Sequence, residues 1–239
     1  MVSIEYDFVG MKKILLLLVL LSLYACDEVL IEENKRIEVR GSLVFLDDAP
    51  VKGVEIFSIG SREARIGSNT DKILGKGHSD ENGDFNFNSL DTYSHGLILA
   101  VNPLELDHDS RYASLYYYDP TGNHAPLYDL EEISLARRLE FQFNISNTSG
   151  VGDTLIYRLQ YEQPVQNFVY EDGVFVAQPN EGANFISLRE HRPDSDPVSL
   201  SLYIMEESEI IFTYGLGENP VEQIVVPVNA VNTSYDFEY

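Results

Sequence analysis

From Ile37 onward the apolar residues recur every second position. Ile37, Val39, Leu43 and Phe45 follow that period, with Gly41 interrupting it. Gly53–Ile59 and Asp84–Asn88 alternate in the same way, and Leu97–Val101 is a short unbroken apolar run. A period of two belongs to half-buried strands, and a short apolar run to a strand buried on both faces. The joints are turn-formers. Asp47-Asp48-Ala49-Pro50-Val51-Lys52-Gly53-Val54 separates the first two strands, and Ser79-Asp80-Glu81-Asn82-Gly83-Asp84 a later pair. Asn82-Gly83 tolerates positive φ and Asp80 can cap the turn backbone. The polar stretch from Ser61 to Lys72 reads as a long loop, a place where sandwiches carry binding residues.

Alternation returns in the second half, in Leu139, Phe141, Phe143 and Ile145, then in Leu155, Tyr157, Leu159 and Tyr161. Phe168-Val169-Tyr170 and Val174-Phe175-Val176 flank Glu171-Asp172-Gly173, a hairpin signal. Further strands are expected at 185–188, 198–204, 209–214 and 223–228. Seven strands in about 100 residues fit a sandwich. Between the halves, Leu115–Tyr118 reads as a strand and Asp119–Gly122 as a turn. Leu130–Ala136 is the one tract where a helical turn fits. The expected fold is all-β, with two Greek-key-type β-sandwich domains. They span 37–103 and 137–239, with 104–136 as a linker, and share a class but no internal repeat.

The first 36 residues differ in kind. Lys12-Lys13 precedes an apolar run from Ile14 to Leu21, then Ser22-Leu23-Tyr24-Ala25-Cys26. A basic start, a short apolar stretch and a small residue form a secretory signal peptide, expected to span 1–25. The run is shorter than the roughly 20 residues of a membrane-spanning helix. Glu5 and Asp7 do not suit a basic leader, so translation is expected to start at Met11. Leu23-Tyr24-Ala25-Cys26 resembles the lipobox of bacterial lipoproteins, and Cys26 is the only cysteine. The resemblance implies cleavage before Cys26, a diacylglyceryl group on its thiol, and a membrane partnership through acyl chains (palmitate among them). Residues 26–36 then form a tether carrying Asp27, Glu28, Glu32 and Glu33. It resembles acidic stretches that route lipoproteins to the outer face of the outer membrane. In other lineages an Asp directly after the cysteine retains them at the inner membrane. The expected location is the outer membrane, at the cell surface, with its periplasmic face as the alternative.

Three motifs in the first half stand in order: Gly41 to Val44, then Pro50-Val51-x-Gly53-Val54, then Ser79-Asp80-x-x-Gly83-x-Phe85-x-Phe87. Together they resemble the carboxypeptidase regulatory-like family over about 65 residues. The resemblance implies a transthyretin-like, seven-strand Greek-key sandwich without catalytic residues, used as a spacer or docking platform.

Charge narrows the partners. Lys+Arg number 16 against 39 Asp+Glu, a formal net charge of −23. That field repels phosphate backbones, so no nucleic-acid partner is expected. A single cysteine excludes an intramolecular disulfide.

No catalytic constellation stands out, and none is expected. His78 and Glu81 have the His-x-x-Glu spacing of zinc carboxypeptidases but lack a third ligand. His95, His108, His124 and His191 show no ligand spacing. Asp80, Asn82 and Asp84 are weak calcium candidates, since Gly83 and Asp91 miss the EF-hand positions; turn chemistry explains them as well. Asp107, His108 and Asp109 form a second acidic cluster, read as a solvated loop. Gly215-Leu216-Gly217 is too short for a nucleotide fingerprint. Asp153-Thr154-Leu155 matches a tripeptide resembling a bacterial O-glycosylation sequon. No cofactor is expected. The expected function is a non-catalytic binding or scaffolding subunit of an outer-membrane complex. The alternative is an adhesin or glycan-binding lipoprotein, with Tyr116–Tyr118 available to stack on sugars.

Overall fold

In β1 (Ile31–Val44) the alternating residues Ile37, Val39 and Leu43 are fully buried while Glu38 and Arg40 face out or partly out. Gly41 completes the inward row, because a Cβ there would meet the Phe85 ring at 2.8 Å and the Glu131 carbonyl at 2.9 Å. The interrupted alternation is thus a continuous strand with an aromatic ring filling the glycine's place. The structure, a computed structural model, describes residues 29–45, 48–62, 70–93, 95–106, 108–150, 152–178 and 184–239. Among them are strands and no helix.

The first unit contains β1, β2 (Glu55–Arg62), β3 (Thr70–His78), β4 (Asp84–Thr92), β5 (Gly96–Val101), β6 (Ser114–Asp119) and β7 (Leu127–Ser134). One sheet is β4-β1-β7, and the facing sheet contains β3-β2-β5-β6. After the β2–β3 hairpin the chain returns to lay β4 beside β1, which is a Greek-key connection. The β3–β4 turn is closed by Gly83 at φ +83°, where a Cβ would lie 2.3 Å from the Leu43 carbonyl oxygen. Only glycine fits there.

The second unit repeats this path. It uses β8 (Arg138–Ser146), β9 (Leu155–Tyr161), β12 (Asn184–His191), β13 (Val198–Met205), β14 (Ser208–Leu216), β15 (Glu222–Val228) and β16 (Ser234–Glu238). Its sheets are β13-β8-β16 and β12-β9-β14-β15. Counting strands one to seven within each unit, both give 4-1-7 facing 3-2-5-6. In both, the seventh strand runs parallel to the first while every other neighbour is antiparallel. The repeat is therefore in topology, where the sequence shows only a shared class. Each unit has its own apolar core.

Two strands fall outside the repeat. β10 (Val165–Glu171) and β11 (Val174–Ala177) form a hairpin between the second and third strands of the second unit. The hairpin leaves that unit and pairs parallel to β6, extending the first unit's sheet to β11-β10-β6-β5-β2-β3. Asp172 at φ 51° and Gly173 at φ 94° make its bend.

Several expected boundaries move. Residues 104–136 contain β6 and β7 of the first sandwich rather than a linker, and the join between units is residues 135–137. The 165–177 hairpin, expected in the second sandwich, belongs to the first unit's sheet. Leu130–Ser134 belongs to β7 and Leu135-Ala136 follow it without regular structure, so no helical turn forms there. Inside the expected tether, β1 already pairs Ile31 with Thr92 and Glu32 with Asp91, and Val29 is 1% exposed. Within the expected loop 61–72, β2 reaches Arg62 and β3 begins at Thr70.

Candidate functional site

The first unit's sheets are unequal. β7 ends a three-stranded sheet, while the facing sheet continues past β6 through β10 and β11. The overhang leaves a groove of about 520 Å³ between β7 and the hairpin, within the usual size of ligand sites.

Its floor is aromatic. Tyr117 stacks on Phe168 at 4.4 Å between ring centroids and meets Phe175 edge-on at 5.2 Å. Tyr128 meets Tyr170 edge-on at 5.5 Å, and Tyr170 lies 5.0 Å from Phe175. Such ring pairs contribute about 0.5–1.5 kcal/mol each beyond area burial. Tyr128 is fixed further by donating its hydroxyl to buried Asp119. Burial pushes the Tyr117 and Tyr128 hydroxyls well above the usual tyrosine range, so both stay protonated. Phe168, Tyr170 and Phe175 are only partly buried; from β7 only the Tyr128 ring reaches Tyr170 and Phe175 among the described ring contacts.

The lip is acidic. Arg40 donates to Asp129 at 2.6 Å across β1 and β7, which holds that carboxylate below its ordinary range. Glu131 and Glu132 on β7, and Glu171 and Asp172 at the hairpin bend, are exposed. Among the described residues none of these four has an ion-pair partner. Glu131 sits at φ 54° in a bulge, where the pairing with β1 slips between Arg40 and Ser42.

A second polar cluster lies under the start of β1. Asn34 at φ 63° and a register slip between Glu32 and Arg36 swing Lys35 to within 2.7 Å of Asp91 Oδ2. Asp91 Oδ1 meets His124 Nδ1 at 2.5 Å, and both side chains are 0% exposed. Burial pushes the Asp91 carboxyl up, but hydrogen bonds with Lys35 and His124 outweigh it and hold it below its ordinary range. The pairing resembles a hydrolase's His–Asp couple only in part. Among the described residues His124 Nε2 has no hydrogen-bond partner, so none of them puts a hydroxyl nucleophile in line. The cluster secures the β1 bulge.

Cys26 lies outside the described residues, as does Asp107. Asp80 Oδ1 accepts from the Asn82 and Asp84 backbone N–H groups at 2.8 and 3.0 Å, which is turn capping. Lys52 pairs with Glu81 at 3.0 Å. Asp109 is clasped by Arg111, whose hydrogen bonds draw its carboxyl down despite partial burial. His191 bonds Tyr239 and the Asp196 carbonyl at 2.7 and 2.9 Å. Burial lowers both His95 and His108. Thr154 immediately precedes β9 and is partly buried. Among the described residues no group of three or more His, Cys, Asp or Glu side chains is placed to hold a metal ion. Tyr116–Tyr118 do not form one platform, because successive strand residues face opposite ways. Tyr117 lies in the groove floor, while Tyr116 bonds Glu105 at 2.8 Å, and burial first, then that bond, push its hydroxyl up to about 12.

No family model matches the sequence, and no curated protein matches it. Similar solved structures include a streptococcal ancillary pilin, at 12% identity and TM-score 0.29, covering 87% of this chain and 63% of that one. The Bacillus anthracis TIE protein aligns at 10% identity and TM-score 0.31, covering 86% of this chain and 34% of that one. The shaft pilin SpaA of Lactobacillus rhamnosus GG aligns at 12% identity and TM-score 0.27, covering 84% and 96%. The chain thus spans less than two thirds of the first two. Likeness this slight carries no argument about function.

The groove escaped sequence reading because its walls come from strands far apart in the chain. One signal was present: Phe168, Tyr170 and Phe175 give the hairpin a single aromatic face.

Proposed function

We propose that this chain is a non-catalytic binding module of the bacterial envelope, anchored by acyl chains on Cys26, which holds a partner of an outer-membrane complex in the groove beside β7. The observation that carries this reading is the aromatic-floored groove itself, about 520 Å³ in volume and open along a strand edge. The lipobox at Leu23–Cys26 supports the anchor. The three motifs that resemble the carboxypeptidase regulatory-like family fall in β1, in the β1–β2 connection, and in the β3–β4 turn with the start of β4. That resemblance implies a seven-strand docking platform, and the first unit contributes seven strands to its two sheets.

Purifying the tagged full-length chain from its own outer membrane in mild detergent, with mass spectrometry of co-purifying proteins, tests the reading. The expected result is a stoichiometric membrane-protein partner. Val174 lines the groove and is 60% exposed, so Val174→Arg should lose that partner without moving the unfolding midpoint. A parallel culture fed an alkyne fatty acid should label the wild type and not Cys26→Ser. An unlabelled wild type would refute the anchor; a chain that purifies alone would refute the subunit role.

A further inference from the structure

We infer that the groove accepts an extended strand from a partner chain, added to the free edge of β7, with alternating apolar and basic side chains. This rests on the binding-module reading and specifies what the partner must present.

The edge is open. Glu38 N–H donates to the Pro126 carbonyl at 2.9 Å, with Glu38 in register with Leu127. Parallel pairing directs the main-chain groups of alternate residues to opposite sides. The N–H and C=O groups of Leu127 and Asp129 therefore point away from β1, and among the described residues no strand pairs with them. A strand placed about 4.8 Å beyond β7 enters the space under β10. It would extend the cover over Phe168, Tyr170 and Phe175, which are only partly buried although Tyr128 of β7 touches two of them. Main-chain bonds would supply affinity, and alternate side chains reaching the floor would supply selectivity.

The acidic lip decides the partner's charge. Glu131 and Glu132 line the slot, and exposed Glu171 and Asp172 directly precede Gly173 in its wall, on a chain of net charge −23. A second copy of this chain would bring like charges to the same edge, a common guard against self-pairing. A strand with Lys or Arg on its outward face would be attracted instead. The Glu131 bulge limits continuous pairing to Leu127–Leu130, so the accepted segment is short.

The probe is a labelled synthetic peptide, Lys-Phe-Thr-Val-Lys-Phe-Thr-Val-Lys, titrated against the full chain by fluorescence anisotropy. The same peptide N-methylated at alternate residues keeps the side chains and loses half the main-chain donors. Strand addition predicts saturable binding, weakened about tenfold or more by N-methylation and abolished when each Lys is replaced by Glu. It also predicts slowed hydrogen exchange at the Leu127 and Asp129 amides, and weaker binding to Leu127→Pro. Equal binding of the N-methylated peptide would overturn strand addition in favour of side-chain capture alone. Absence of binding at millimolar peptide in low salt would also overturn it. If a membrane partner is captured and Leu127→Pro still holds it, the module reading survives and this inference fails. If the peptide binds as described but no membrane partner appears, the groove chemistry stands and the subunit role fails.

Discussion

The seventh strand occupies the same place in both units, β7 beside β1 and β16 beside β8, each running parallel to its neighbour. Around β16 the facing sheet stops at β15, so the two sheets end together. Around β7 the facing sheet runs on through β10 and β11. One topology thus yields a flush sandwich and an overhung one, and the difference comes from a single hairpin inserted in the other unit. A groove can arise by extending one sheet while the facing sheet stays short, with no change to the core below.

Substitutions can break that comparison or sharpen it. The largest effect is expected at Phe212, fully buried in the second core. Phe212→Ala should cost about 3–5 kcal/mol in urea unfolding.

Next comes Asp91→Asn, which leaves Lys35 facing a neutral amide, at about 2–3 kcal/mol. Its pH signature has a definite sign. The folded Asp91 carboxyl sits below its ordinary value, so its stabilisation is present above the unfolded pKa of about 3.9 and disappears as pH falls through the lower folded value. Wild-type stability should fall below about pH 4 more steeply than that of Asp91→Asn, as read from urea midpoints between neutral and acid pH.

Phe168→Ala should cost less, about 1–2 kcal/mol, since its ring is only partly buried. A loss matching that of Phe212→Ala would mean that the hairpin is part of the core, and the overhang account would fail. Smallest is Gly173→Ala, at about 1 kcal/mol for a Cβ forced into positive φ. Its Cβ would meet no atom within 4 Å, leaving only the strain of φ 94°. A larger loss would show that the bend has packing the structure does not contain.

The strands were legible because alternation is local. Phe141, Phe143 and Ile145 declare their inward face without reference to any neighbour. β7 was misread for a definable reason. Its inward residues are Tyr128, Leu130 and Ile133, followed by buried Leu135, spaced two, three and two apart. The bulge at Glu131 inserts one residue, and that single extra step imitates helical spacing. The hairpin was legible as a hairpin from Glu171-Asp172-Gly173. Its sheet was not, because pairing with β6 joins residues about fifty positions apart, and no local pattern encodes such a partner. The groove inherits both difficulties.

Buried Val29 packs against Gly60 and is followed at once by Leu30, whose carbonyl accepts from Tyr93. The described structure is thus in place at Val29, three positions along the chain from Cys26, and three residues reach about 10 Å at most in any conformation. Were Cys26 acylated, as proposed above, a span that short would hold the module close to the bilayer. The groove opens where Leu127 pairs with Glu38, about 20 Å further along β1, and runs away from the anchored end. A bilayer gripping this end would hold the acidic lip well beyond the roughly 8 Å over which lipid charges are felt in physiological salt. The slot would face the aqueous phase like a bracket fixed at its base, already oriented for whatever approaches from the side.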